Sequence, residues 1–187
     1  MTDNIIFISG KAQAGKTTTA YLLKKNIEMT GKCAVIINYA DLLKHICSTY
    51  FEWDGKKDKN GRQLLQEVGT DVVRNNDPDF WVNFVRKFVD VFSGTWDYII
   101  IGDCRFKNEI SWRYGTDARC THLRIVRPGY DNGLTEEQKN HVSETDLDDV
   151  QPDCYLFNDG TLVDLDKRVL KFLDDLESSG KSPGITQ

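Results

Sequence analysis

Residues 4 to 24 leave this chain very few folds to choose from. The apolar run Ile5-Ile6-Phe7-Ile8 leads into Gly10-Lys11-Ala12-Gln13-Ala14-Gly15-Lys16-Thr17, and Thr18-Thr19-Ala20-Tyr21-Leu22-Leu23 follows at helical spacing. The central octet satisfies G-x-x-x-x-G-K-[ST] in full, and it lies in the strand-loop-helix context that gives the motif its meaning. Glycines at both ends let the backbone curl so that successive N–H groups point inward, and the helix that follows adds the partial positive charge of its N-terminus. The pattern therefore predicts a phosphate cradle. Lys16 would reach the β- and γ-phosphates of a nucleoside triphosphate, and Thr17 would offer its hydroxyl to a magnesium ion, which prefers hard oxygen ligands.

The rest of the chain has to supply a sheet for this loop to sit on. Cys33 to Ile37 is a second apolar run of strand length, as suits a parallel strand buried on both faces. Thr18 to Met29 reads as the crossover helix, with Gly31 as its stop. Asn38 to Asp41 sits beyond the second strand, where open α/β sheets bind ligands, and Ala40 to Phe51 reads as a helix. Asp41 suits either a helix N-cap or a carboxylate on the substrate side. The polar stretch from Glu52 to Asn60 reads as a loop, and Gly61 to Asn75 returns to helical spacing through Leu64, Leu65, Val68 and Val72. Asp77-Pro78 predicts a capped helix start, with Trp81, Phe84, Val85, Phe88 and Phe92 on the apolar side; Phe80 and Trp81 are near enough to its end to wall a pocket.

Tyr98 to Asp103 reads as a third strand ending in an acid, a position from which a carboxylate can hold magnesium through water. Cys104 follows it, where a glutamate would suit water activation. Arg105 to Glu109 opens a short helix that runs through Trp112, and Thr121 to Val126 is a fourth strand closed by Arg127. Pro128 to His141 has almost no apolar periodicity and is long for a connection, which suits a lid. His141 reads as a structural hydrogen-bonder, and Ser143 with Asp146 as a capping box. Cys154 to Phe157 is a fifth strand, and Leu162 to Leu176 marks a last amphipathic helix.

Composition removes other classes. A formal net charge of -5 argues against a polymeric nucleic-acid partner or a membrane surface, and no apolar run approaches spanning length. Five cysteines without a C-x-x-C pair argue for reduced thiols rather than a disulfide framework or a zinc site, hence a cytoplasmic setting. No Asn-Lys pair is present for guanine recognition.

Gly61-Arg62-Gln63-Leu64-Leu65-Gln66 with Gly69-Thr70, Asp77-Pro78-Asp79-Phe80-Trp81, Asp103-Cys104-Arg105-Phe106-Lys107-Asn108-Glu109, His141-Val142-Ser143-Glu144 and Asn158-Asp159-Gly160-Thr161 complete a set with the phosphate loop. Together they resemble the bacteriophage-type deoxynucleoside monophosphate kinases over nearly the whole chain. The resemblance implies an α/β P-loop kinase fold with a five-stranded parallel sheet flanked by helices on both faces, as one domain over residues 1–177. Within it would lie a substrate-binding helical region at about 39–93 and a lid at about 128–143, with a flexible tail over 178–187. It implies ATP-dependent conversion of deoxynucleoside 5′-monophosphates to diphosphates with Mg²⁺, in the host cytoplasm for a phage protein, and leaves a homodimer open.

Residue by residue, the resemblance places ATP on Gly10, Lys11, Ala12, Ala14, Gly15, Lys16, Thr17 and Thr18, with Asn158, Asp159 and Gly160 bordering the adenine. The metal falls to Thr17 and Asp103, and catalysis to Lys16, Asp103 and Arg105, the last at the acceptor phosphate. Asp41, Arg74, Asp79, Trp81, Glu109, Arg127 and Lys139 complete the substrate set. Arg127 and Lys139 are the only long cations in the lid region that follows the fourth strand, whereas classical nucleoside monophosphate kinases carry an arginine-rich lid. The competing readings are a P-loop kinase of another phosphorylated metabolite and a non-metabolic ATPase or switch module.

Overall fold

A computed structural model describes residues 4–56 and 58–178. In chain order its elements are β1 (Asn4–Ser9), α1 (Lys16–Met29), β2 (Ala34–Ile37), α2 (Ala40–Tyr50), α3 (Lys59–Gln66), a π-helical stretch (Glu67–Arg74), α4 (Phe80–Val91) and β3 (Tyr98–Cys104). There follow α5 (Lys107–Ser111), a 3-10 turn (Trp112–Gly115), β4 (Arg119–Val126), α6 (Glu136–Asn140), α7 (Val142–Thr145), β5 (Cys154–Phe157) and α8 (Leu162–Ser178). The tail expected after α8 lies outside the described residues.

The five strands form one parallel sheet in the order β2-β3-β1-β4-β5. The crossover from β1 through α1 therefore passes over β3 to reach β2. In register, Asn4 faces Tyr98 on β3 and Arg119 on β4, so β1 is paired along both edges. Its apolar run alternates between two layers, because successive strand side chains point to opposite faces. Ile6 and Ile8 join Leu23 and Ile27 of α1 and Val169, Phe172 and Leu176 of α8 in one core. Phe7, on the other face, meets Trp112 edge to face, ring centres 5.2 Å apart. Full burial of such side chains stabilises by about 1.5–3 kcal/mol each. The expectation of two buried faces fails for β2, where only Ala34 is buried, because β2 is an edge strand.

Two compact units divide the described chain: the residues up to Ile36 together with those from Ser93 onward, and Ile37–Phe92. The first holds the phosphate loop, and the second is helical. Within the second, the helix expected over Gly61–Asn75 turns π-helical from Glu67. Its i→i+5 bonding widens the turn and shifts the apolar face, so Val68 is buried while Val72, one ordinary turn on, is 53% exposed. Trp81 fixes this stretch by donating its ring N–H to Gly69 O at 3.0 Å.

Helix α4 starts two residues later than Asp77-Pro78 suggested. Asp77 accepts the Asp79 N–H at 3.1 Å through its side chain, a turn that occupies the carboxylate and makes Asp79 the N-cap. The expected apolar side of α4 is buried only in part. Trp81, Val82, Val85 and Val89 face inward, whereas Phe80, Phe84 and Phe92 are 40–45% exposed.

Candidate active site

The phosphate loop and the side chains that surround it lie in the first unit. The loop after β1 is shaped by two glycines that no other residue could replace. Gly10 has φ +143°, and a Cβ there would lie 2.5 Å from Ile125 O; Gly15 has φ +107°, and its Cβ would lie 2.5 Å from Asn158 Nδ2. Gly15 is also the N-cap of α1 and supplies no side-chain cap, so the first amides of that helix have no side-chain oxygen closing over them. This is the geometry of an anion-binding helix start.

Lys16 is only 9% exposed, with Nζ donating to Gly10 O at 2.5 Å and Lys11 O at 2.9 Å. Burial lowers its pKa to about 8, with the nearby Arg105 guanidinium adding to the effect, while Glu144, Asp103 and Cys104 oppose it. The ammonium is thus still mostly protonated near neutral pH. Thr17 and Thr18 are exposed at the start of α1, and Asp103 is half-buried near the end of β3. A hydroxyl and one carboxylate suit magnesium, which takes few protein ligands and keeps water and substrate oxygens for the rest. Cys104 beside Asp103 is buried, and desolvation raises its thiol well above its ordinary pKa, so it offers no thiolate.

Arg105 follows β3 directly. Its guanidinium donates to the Glu144 carboxylate and, at 3.2 Å, to Ser143 O. Its carboxylate partner is thus Glu144, not Glu109 one turn further on. Glu109 is 2% exposed, and its Oε2 instead accepts the backbone N–H groups of Arg105 at 2.6 Å and Phe106 at 3.0 Å. It shapes the turn that presents Arg105.

Glu144 was not singled out by the motifs as a site residue. Its side chain is 8% exposed, and Oε2 accepts the Ala12 N–H of the phosphate loop at 2.8 Å while Oε1 takes Arg105. Its neighbours are tied down around it. Lys11 Nζ donates to Glu144 O and Asp148 Oδ1, both at 2.5 Å, Lys107 N donates to Asp146 at 2.7 Å, and Arg124 donates to Leu147 O at 2.7 Å and Val150 O at 2.8 Å. With Asp146 bound to Lys107, the expected Ser143/Asp146 capping box does not form. His141 caps α7 instead, its Nδ1 accepting the Ser143 N–H at 3.2 Å.

Arg124 was missed too, although a charge inside the apolar strand Leu123-Arg124-Ile125 was a visible signal. It pairs in register with Ser9, the residue before the loop, whose hydroxyl lies 2.7 Å from His122 Nε2. Burial first, with Arg124 and Arg113 contributing, lowers the His122 pKa to about 3, so this imidazole stays neutral and serves as a brace under the loop.

The loop, Arg105, Arg124, Glu144 and Asp148 line a cavity of about 340 Å³, together with Arg127, Tyr130 and Asn132 from the segment after β4. Arg127 stacks on Tyr130, 3.7 Å from the ring centre, and donates to Gln13 O at 3.4 Å. Lys139, the second cation expected there, lies on α6 paired with Glu136 at 2.8 Å and is not among the cavity's lining residues. The lid segment is not structureless, since a Thr135/Gln138 capping box starts α6 within it. Asn158 donates to Ala14 O at 2.9 Å, so it braces the loop; Asp159 pairs with Arg168, and Gly160 packs on Asp164.

In the second unit, the remaining predicted residues have local partners. Asp41 stands in the first turn of α2, whose N-cap is Tyr39; it accepts from Asn38 N at 3.0 Å and pairs with Lys44 at 2.9 Å. Arg74 Nη1 lies 3.4 Å from Pro78 O, Asp79 caps α4, and Trp81 is 2% exposed, which makes it a core residue of this unit.

The deoxynucleotide monophosphate kinase family model matches residues 35–169. The deoxynucleotide monophosphate kinase of Enterobacteria phage T4 is 33% identical over 110 residues, 58% of this chain and 43% of the relative. That of Escherichia phage RB69 is 32% identical over 114 residues, 60% of this chain and 44% of the relative. The matches therefore span less than half the length of these relatives. Among solved structures, the Mycobacterium tuberculosis APS kinase CysC in complex with AMPPNP and APS aligns with TM-score 0.53 at 11% identity, covering 95% of this chain and 99% of that one. An unliganded sugar kinase from Janibacter sp. HTCC2649 aligns with TM-score 0.53 at 13% identity, covering 93% and 95%. At these identities the likeness shows the fold alone, that of P-loop kinases.

Proposed function

Because the chain belongs to the deoxynucleotide monophosphate kinase family, we propose that it transfers the γ-phosphoryl group of ATP to the 5′-phosphate of a deoxynucleoside monophosphate. An acceptor phosphate oxygen forms a bond to Pγ, the bond from Pγ to the β–γ bridging oxygen breaks, and ADP leaves beside a deoxynucleoside diphosphate. The observation that carries this reading is the convergence on one cavity of the phosphate loop and the Arg105 guanidinium. Phosphoryl transfer asks little covalent help of a protein, so held geometry and cationic charge supply most of the catalysis. A phosphate acceptor is already ionised near neutral pH and needs no strong base, which fits a site whose neighbouring imidazole, His122, stays neutral.

The roles follow from these positions. Loop amides from Gly10 to Thr18 hold the ATP phosphates, Lys16 leaves its loop carbonyls to neutralise charge on the β- and γ-oxygens, and Arg105 grips the acceptor phosphate through two N–H groups. Thr17 and Asp103 would hold Mg²⁺, which when bound neutralises charge on the phosphate oxygens. Arg127 and Tyr130 head the segment proposed as a lid, and Asn158 to Gly160 the loop proposed beside the adenine. Arg74 and Asp79 address the nucleoside, whereas buried Trp81 supports the packing of its own unit. Free thiols among the described cysteines suit a cytoplasmic setting, and no helix among the described residues is long and apolar enough to cross a membrane.

A panel of monophosphates with coupled detection of ADP tests the proposal. The expected result is acceptor-dependent ADP formation with at least one deoxynucleoside monophosphate. Turnover confined to other phosphorylated metabolites would replace the substrate class, and ADP formation equally fast without acceptor would make the protein an ATPase.

A further inference from the structure

The phosphate loop of this chain already carries an anion of its own. Glu144 places one carboxylate oxygen on the Ala12 N–H at 2.8 Å and the other on the Arg105 guanidinium, with only 8% of the side chain exposed. These are two of the donors that the proposed function assigns to phosphate oxygens. A carboxylate and a phosphate oxygen satisfy such donors alike, since both are compact anions that accept charge-assisted hydrogen bonds. They cannot share them, because two anions held on the same donors lie close enough to repel each other.

We infer that Glu144 is an internal competitor of phosphate, a positioning residue that holds Ala12 N–H and Arg105 in place and must leave both when a polyphosphate enters the loop. Its hold is sprung from a fixed base. Lys11 on Glu144 O and Asp148, Lys107 N on Asp146, and Arg124 on Leu147 O and Val150 O anchor the backbone on either side of Glu144. The side chain can therefore swing out and return without the segment moving. The arrangement also eases a burial problem: the partly buried Arg105 guanidinium lies beside the buried Lys16 ammonium, and Glu144 joins Asp103 in offsetting this positive charge. The consequence is selectivity by charge. A ligand with one weak anionic group does not displace the carboxylate, whereas a polyphosphate, gathering the loop amides, Lys16 and Arg105 together, does.

The inference rests on the phosphate-loop reading of Gly10 to Thr17, and its test reads binding rather than catalysis. Inorganic tripolyphosphate is titrated calorimetrically into the full chain and into Glu144→Gln, Glu144→Ala and Asp149→Asn. The last removes one negative charge from the same segment, where Asp149 pairs with Lys107 at 2.8 Å and touches neither Ala12 nor Arg105. Exchanging a charged acceptor for a neutral one on Arg105 weakens the competing contact, and about a tenfold tightening of tripolyphosphate is expected for Glu144→Gln, with little change for Asp149→Asn. Glu144→Ala, which removes the competitor altogether, tightens binding at least as much. Damage to the fold cannot produce a gain in affinity, so tightening in either Glu144 variant supports the competitor. Equal or weaker binding in both overturns it, and so does an equal gain in Asp149→Asn, which would reduce the effect to net charge. Phosphoryl transfer is assayed separately on the same proteins. Tightening without transfer would leave the competitor standing and remove the kinase reading, and transfer without tightening would do the reverse.

Discussion

Replacing Lys16 with methionine separates what this residue costs the fold from what it contributes to the chemistry. The side chain is 9% exposed, and its pKa falls from 10.5 to about 8, chiefly through burial. At about 1.36 kcal/mol per pKa unit, that depression corresponds to about 3 kcal/mol of penalty on the charged form in the folded chain. The unfolded chain binds the proton more tightly, so between about pH 8 and 10.5 it carries more protons than the folded one, and stability rises with pH. The penalty is fully present below about 8 and gone above 10.5. Methionine has nearly the same length and no charge. The loss of two bonds to Gly10 O and Lys11 O shifts its stability by a pH-independent amount, while the titration disappears. Urea unfolding of both proteins without nucleotide, at intervals from pH 7 to 10.5, should show the parent gaining about 3 kcal/mol on the methionine variant across the window. Phosphoryl transfer by the variant should fall by at least about 10²-fold. Two stability curves that run parallel over this range would refute the assignment of a desolvated, charged Lys16.

Arg105→Lys should lower kcat/KM for the monophosphate by about 2–4 kcal/mol in transition-state terms while leaving ATP binding nearly intact, because an ammonium cannot reproduce the two-pronged grip. Steady-state kinetics with each substrate varied in turn decides it, and a value within threefold of the parent would remove Arg105 from the acceptor site. Residues 128–141, whose only helix is the five-residue α6, should exchange amide hydrogens quickly alone and slowly with ATP analogue and monophosphate together. Equal protection in the two states would end the lid reading.

The phosphate loop was legible because its information is local. An apolar run, two glycines and the Lys-Thr pair lie within a dozen residues, and the physics that curls them needs little beyond the chain's own backbone sterics. The strands and the last helix were legible for the same reason, since continuous apolar runs and 3.6-residue patterns are short-range. Tertiary structure alone placed β3 between β1 and β2, left β2 half-buried at an edge, and turned Phe80 and Phe84 of α4 outward while Val82 and Val89 turned in. Apolar character tells which residues can be buried; only the packing partner tells which are. The same limit governed the site. Glu109 lies one turn from Arg105, yet its carboxylate is taken by the backbone N–H groups of Arg105 and Phe106. The guanidinium reaches Glu144 instead, 39 residues away, where Lys11, Lys107 and Arg124 fasten the acidic segment beside the loop. A carboxylate's partner is set by which unpaired donors surround it in space, and that was decided only when β1, β3 and β4 came together.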